Sequence, residues 1–188
     1  MGNLHSIKKA LENSGVSVKV VTRMKELCDA ECIVFPGVGA FDKTVESMKD
    51  CKEDIKGRLD SGVPALGICI GMHILFEGSA EGNAKGIGFM KGRVERLESE
   101  RIPHMGWNSV DSDDDIFNGI DDKNFYFAHS YSGCPKEPIT IGTTSYDTSI
   151  QSLFKKKNTY GCQFHPEKSS VSGTAFLNNF IEFAEEQR

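Results

Sequence analysis

VPALGICIGMH, residues 63–73, runs from an apolar stretch into a cysteine with a glycine two positions away on each side. The first part, VPALGIC (63–69), reads as a strand of the kind buried on both faces of a parallel sheet. IGMHILFEG (70–78) reads as the helix that follows it. The spacing G-x-C-x-G is the layout of a nucleophile elbow with sulfur in place of oxygen, a turn sharp enough to crowd its neighbours against the backbone. Taken alone, the pattern fits a packed core thiol as well as a nucleophilic Cys69.

Outward from this stretch, strands and helices alternate. Residues 3–13 place Leu4, Ile7 and Leu11 at helical spacing, and VSVKVVT (16–22) alternates as a strand. ECIVFPG (31–37) is a short apolar strand entering a glycine-rich turn, and residues 41–62 read as one or two helices. This order predicts an α/β domain with a central, mostly parallel sheet flanked by helices. The second half differs: GRVERLE, NFYFAHSY, ITIGTTSY and TYGCQFH look like strands joined by turns, before a final helix carrying Phe176, Phe180 and Phe183. With no repeat and no linker, residues 1–188 are expected to form a single domain with a smaller second sheet region.

Composition narrows the function. A hydrophobic content of 38% and a charged content of 26% are ordinary for a globular chain. The net charge of −5 and pI near 5.6 speak against non-specific nucleic-acid binding. The six cysteines form no C-x-x-C pair, so no metal is expected, and reduced thiols in the cytoplasm are the default. DSDDD (111–115) reads as an exposed acidic loop and KKK (155–157) as the edge of a turn. No apolar run is long enough to span a bilayer. MGNLHS matches the myristoylation pattern, but no polybasic stretch follows to supply a second membrane signal.

A nucleophilic Cys69 needs a base held by a third group. Of the five histidines, His5 lies on the first helix, His104 follows a proline and is placed in a loop, and His129 ends a strand. His73 lies one helical turn after Cys69. His165 has the strongest local case, because it closes an apolar strand and Pro166 keeps it extended. Glu167, two residues on, then points to the same side, where a carboxylate can fix the imidazole tautomer.

GICIGM together with QFHPE resembles the class I, triad-type glutamine amidotransferases, in which Cys, His and Glu hydrolyse the side-chain amide of glutamine. The resemblance implies that fold, Cys69 as nucleophile, His165 as base and acid, and Glu167 as orienter. PGVGAF (36–41) matches the family's oxyanion strand, so backbone N–H groups of Val38, Gly39 and Ile70 are the implied oxyanion hole. Further segments (GNLHSIKKAL, PHMGWNSV, FAHSY, FHPEKSS) resemble the glutaminase subunits of imidazole glycerol phosphate synthases. That branch implies a cyclase partner, a β/α barrel that takes the ammonia in histidine biosynthesis, and implies no cofactor. By the same resemblance His73, Glu81, Ser130 and Tyr131 bind glutamine, while Trp107 and Lys168 lie at the partner interface. Read without it, Glu81 is an exposed helix-end charge, Trp107 a core residue and Lys168 a solvated charge. Two other readings are a paralogous glutaminase feeding a sugar amidotransferase and a non-catalytic interaction subunit.

Two departures from the family pattern stand out. Glutamine is usual at position 73, where a neutral histidine offers a single N–H donor. Family members also open with an apolar strand before the residues matching GNL, so Gly2 aligns with a loop glycine and Met1 falls inside that loop. A first core strand is therefore expected to be missing, leaving a gap beside ECIVFPG unless another segment fills it. Unpaired buried polar groups cost about 1–3 kcal/mol each against a total stability of about 5–15. The expectation is a native product with roughly one more strand upstream, to be compared with 1–188 by thermal melts.

Overall fold

The computed structural model describes residues 2–21 and 24–187. In chain order the elements are α1 (Gly2–Asn13), β1 (Ile33–Phe35), α2 (Phe41–Glu46), α3 (Lys52–Asp60), β2 (Ala65–Ile68) and α4 (Ile70–His73). There follow β3 (Gly92–Arg96), β4 (His104–Ser109), β5 (Asn124–His129), β6 (Tyr131–Pro135), β7 (Thr140–Ser145), β8 (Ser149–Lys156), β9 (Thr159–Cys162) and α5 (Ser170–Glu186).

A five-stranded sheet in the order β1-β2-β9-β8-β7 forms the centre. β2 runs parallel to both neighbours, with Ala65 opposite Ile33 on one side and Thr159 on the other. Period-two alternation sorts its side chains: Ala65 joins the core beneath α2 and α3, and Leu66 and Ile68 join the core beneath α1 and α5. Both faces are covered, which is why ALGI has no polar position. Phe41, Val45, Ile55 and Leu59 fill one layer; Ile7, Leu11, Phe176 and Phe180 fill the other.

The sheet is mixed. β9 pairs antiparallel with β8, and β8 with β7, because residues 157–158 and 146–148 are too short for a crossover and can only make hairpins. Two further pairs, β3 with β6 and β4 with β5, form the smaller antiparallel region. β4 corrects the loop placement of His104. Its inward positions are His104, Gly106 and Asn108, and its outward ones are Met105, Trp107 and Ser109, so no apolar alternation marks the strand. The helix expected over 70–78 stops at His73. Beyond it, the carbonyls of Ile74, Leu75 and Phe76 accept from the N–H groups of Ile87, Met90 and Gly88 instead of continuing the helix.

The alternating segment 16–21 pairs with no strand among the described residues, and Thr22 lies outside them. Between this segment and β1, the edge strand of the sheet, runs an apolar groove of about 780 Å³ lined by Val16, Val18, Ile33, Val34 and Phe35 among others. It lies where a gap beside ECIVFPG was expected. Met1 is outside the described residues.

Candidate active site

Cys69 stands between β2 and α4 with φ 49° and ψ −111°, a conformation that non-glycine residues adopt only under strain of about 1–3 kcal/mol. Its N–H donates to the Cys162 carbonyl at 2.8 Å, and its own carbonyl accepts from Met72 and His73 N–H at 2.9 Å. The turn is thus held from both sides. A side chain at Gly71 would overlap the Phe35 carbonyl, and one at Gly67 would lie 2.7 Å from the Gly71 carbonyl oxygen. The flanking glycines let β1 and the new helix close on the elbow, which an inert core thiol would not require.

His165 follows β9. Its N–H donates to the Tyr126 carbonyl at 2.8 Å, and its carbonyl accepts from Ser169 Oγ at 2.6 Å. The ring Nδ1 lies 2.8 Å from Glu167 Oε1, with only 3% and 1% of the two side chains exposed. Burial opposes a charge on this ring. Hydrogen bonds and charge interactions with Cys69 and Glu167 outweigh burial and push the His165 pKa up to about 9 from an ordinary 6.5. With Nδ1 committed to Glu167, the other ring nitrogen is the one left to serve Cys69. Gly37 closes the remaining side: a Cβ there would sit 2.7 Å from His165 Cε1 and 3.2 Å from Nδ1.

The turn carrying Val38 and Gly39 follows β1, the neighbour of the strand that ends in Cys69, so both lie at the carboxyl edge of the parallel strands. Gly39 has φ +94°. Ile70 opens α4, and its N–H has no intrahelical acceptor. Glu81 is exposed, and its carboxylate accepts from the Phe41 backbone beside Asp42. Partial burial first, then the Asp42 charge, raises its pKa. Asp42 in turn accepts from the N–H groups of Asn83 and Ala84, tying the Glu81 loop to the start of α2. Ser130 and Tyr131 join β5 to β6; the Ser130 carbonyl accepts from Leu97 N–H, and the Tyr131 carbonyl lies 2.8 Å from His129 Nδ1.

His73 is buried, with Nε2 3.0 Å from Gln163 Oε1. Its pKa is lowered to about 4 by burial, despite the bond to Gln163. Trp107 is 56% exposed on the outer face of β4, so it is no core residue. Its ring meets Tyr126 edge-on at 6.2 Å, and the exposed Lys168 ammonium lies 5.6 Å from the same Tyr126 ring. Met105, 64% exposed, stands two residues before Trp107 on the same outer face of β4. Sequence reading singled out Gly37 for its backbone freedom but not for its contact with His165, and it missed Met105, Tyr126 and Gln163. All lie within segments already quoted, but only folding shows what they touch.

The pKa shifts fix a pH dependence of stability. His165 is raised, so its contribution is complete below pH 6.5 and is lost as pH rises through 9. His73 and His129 run the other way: burial lowers them to about 4 and about 3, so their contribution is complete above pH 6.5 and lost as pH falls toward those values. The thermal midpoint is expected to peak near pH 6.5 and fall on both sides. In Glu167→Gln the alkaline decline should shrink; an identical decline in that variant would contradict the role of the His165–Glu167 pair.

Among the described residues no His, Cys, Asp and Glu cluster could hold a metal ion, and no helix is long and apolar enough to cross a membrane. The profile of the Glutamine amidotransferase class-I family matches residues 1–183. The imidazole glycerol phosphate synthase subunit HisH of Methanocaldococcus jannaschii is 43% identical over 186 residues, covering 96% of this chain and 94% of its own length. The subunit of the same name from Trichormus variabilis is 40% identical over 198 residues, covering 100% and 94%. Among solved structures, a glutamine amidotransferase superposes with TM-score 0.74 at 16% identity, over 97% of this chain and 94% of the other. The glutaminase domain of Trypanosoma brucei CTPS superposes with TM-score 0.66 at 14% identity, over 97% and 88%. A strained cysteine elbow, a buried His–Glu pair beside it and a family match running from the first helix through α5 lead to one conclusion: the chain belongs to the class I glutamine amidotransferases.

Proposed function

We propose that this chain is the glutaminase subunit of an imidazole glycerol phosphate synthase, serving histidine biosynthesis in the cytoplasm. The observation that carries the chemistry is the Glu167–His165–Cys69 arrangement at the elbow. The Cys69 thiolate attacks the glutamine amide carbon, and the carbonyl electrons move onto oxygen, facing N–H groups of the Val38–Gly39 turn and Ile70. His165, charged at neutral pH, gives its proton to the departing nitrogen, so ammonia leaves and a thioester remains. The neutral imidazole then takes a proton from water, which attacks the thioester and releases glutamate and the thiolate. Glu81 is suited to the substrate ammonium, and the Ser130–Tyr131 backbone to its carboxylate.

The relatives' names support a cyclase partner, which we take to be a β/α barrel. The Met105–Trp107–Tyr126–Lys168 patch is the surface we assign to it. Two strands pin this patch to the triad, since the Tyr126 carbonyl binds the His165 N–H. A sealed heterodimer interface would carry ammonia in its neutral, nucleophilic form.

The test is a glutaminase assay of the chain alone, with the cyclase subunit, and with the cyclase plus its nucleotide ligand. Slow turnover alone and a rise on the order of 10–100-fold in the liganded complex are expected. Full turnover by the isolated chain would remove the need for a partner-driven site.

A further inference from the structure

One polar chain behind the nucleophile is not used by the triad. Gln163 follows β9, wholly buried between Cys162 and Phe164, with its backbone N–H on the Ser152 carbonyl at 2.9 Å. Its amide Nε2 lies 3.7 Å from Cys69 Sγ, and its Oε1 lies 3.0 Å from His73 Nε2. His73 is itself 2% exposed, and its Nδ1 is buried without a hydrogen-bond partner among the described residues.

We propose that Gln163 donates an N–H to the Cys69 sulfur as thiolate, and that His73 is the positioning residue that holds the Gln163 amide in the orientation needed. The inference rests on Cys69 being the nucleophile. Two arrangements of the chain are open to a neutral histidine, which carries one ring proton. With the proton on Nε2, His73 donates to Oε1 and the amide N–H₂ faces the sulfur. With it on Nδ1, the amide must turn over, its oxygen faces the sulfur, and a buried N–H is left without an acceptor. The second arrangement repels a thiolate and orphans a donor, the rarer and costlier defect in protein interiors. The first leaves only an unused lone pair, which matches the unpartnered Nδ1.

His73 is held neutral, its pKa lowered to about 4, so this lock persists across the working range of the enzyme. The other titratable groups around the sulfur are His165, Glu167 and Cys162 from the β9 segment, with His129 from β5 acting on His73 and His165. Of these only His165 carries a positive charge at neutral pH, so the amide adds a second, uncharged donor from a different direction. His73 thereby takes a role behind the sulfur, through Gln163, where the family's usual glutamine is expected to contact substrate.

The test follows Cys69 alkylation by iodoacetamide against pH, resolved by peptide mass spectrometry in the full chain without glutamine. Gln163→Met keeps the length of the side chain and removes the donor. Its half-maximal pH is expected to rise by about one unit, a tenfold loss of thiolate below the midpoint, the scale of one hydrogen bond to a charged group. Glutamine kcat/KM in the cyclase complex should fall about tenfold at pH values below that midpoint, with ammonia-dependent synthesis unchanged. His73→Leu, which frees the amide to turn, should shift the profile the same way by less. His73→Gln, which can still donate to Oε1, should restore the original profile. Coincident profiles for Gln163→Met and the parent overturn the proposal. Should Gln163→Met fail to fold, equal profiles for His73→Leu and His73→Gln overturn it equally. Glutaminase activity surviving in Cys69→Ala would instead refute the nucleophile assignment, a separate result.

Discussion

Cys69→Ala is expected to abolish glutamine-dependent synthesis in the cyclase complex, by about 10⁴-fold or more, while synthesis from added ammonium salt continues. In the proposed mechanism the sulfur forms the bond to the substrate, and the neighbouring Cys162 cannot replace it: it is wholly buried, and burial holds its thiol well above the usual range. The variant should still fold, since alanine removes a single sulfur atom from a side chain 7% exposed and leaves the backbone strain as it was. Comparing the two nitrogen sources in one preparation is the check. Loss of both activities would mean that the thiol supports the fold rather than the chemistry.

Gly37→Ala is expected to lower kcat for glutamine by about 10²-fold, the usual consequence of moving a catalytic group by an ångström or less. The new Cβ would sit 2.7 Å from His165 Cε1, closer than carbon atoms approach, and 3.2 Å from the Ile68 carbonyl oxygen. The ring must give way, because Ile68 belongs to the central strand β2 and cannot. Its Nδ1 is tied to Glu167 at 2.8 Å, so the shift falls on the end of the ring that serves the sulfur. Overpacking of this kind costs about 1–3 kcal/mol, so the thermal midpoint should fall by a few degrees and the fold survive. A near-parental kcat would show that the imidazole has room to retreat without losing Cys69.

Much of the site was legible in the sequence because its parts are local. The elbow is read from five consecutive residues, since only glycine can stand where β1 and α4 close on it, as the Gly71–Phe35 contact shows. His165 and Glu167 are two residues apart, so an extended backbone alone brings their side chains together, and the 2.8 Å bond follows. Strands buried on both faces announce themselves as apolar runs: ALGI is unbroken, and TYGC is apolar but for Thr159.

Other features left no such mark. β4 turns His104, Gly106 and Asn108 inward, a polar and small face whose bonds go to His129 and the Ser145 carbonyl, so hydrophobic period could not reveal it. The exposure of Trp107 depends on which face β5 leaves open, and its composition as a residue suggests the opposite. The sheet is mixed because two short turns fold β7 and β8 back as hairpins, a matter of connection length that strand pattern does not encode.

The sequence by itself determined the class of fold, the elbow and the His–Glu pair, because each is set by backbone geometry over a few neighbouring residues. Only the tertiary structure decided that the elbow and the pair meet. Ile68 pairs with Cys162, the Cys69 N–H takes the Cys162 carbonyl, and the chain leaving β9 then delivers Gln163 and His165 to the sulfur. That register joins residues nearly a hundred positions apart, and it is fixed by side chains on two opposite faces of one sheet, each packed against its own layer of helices.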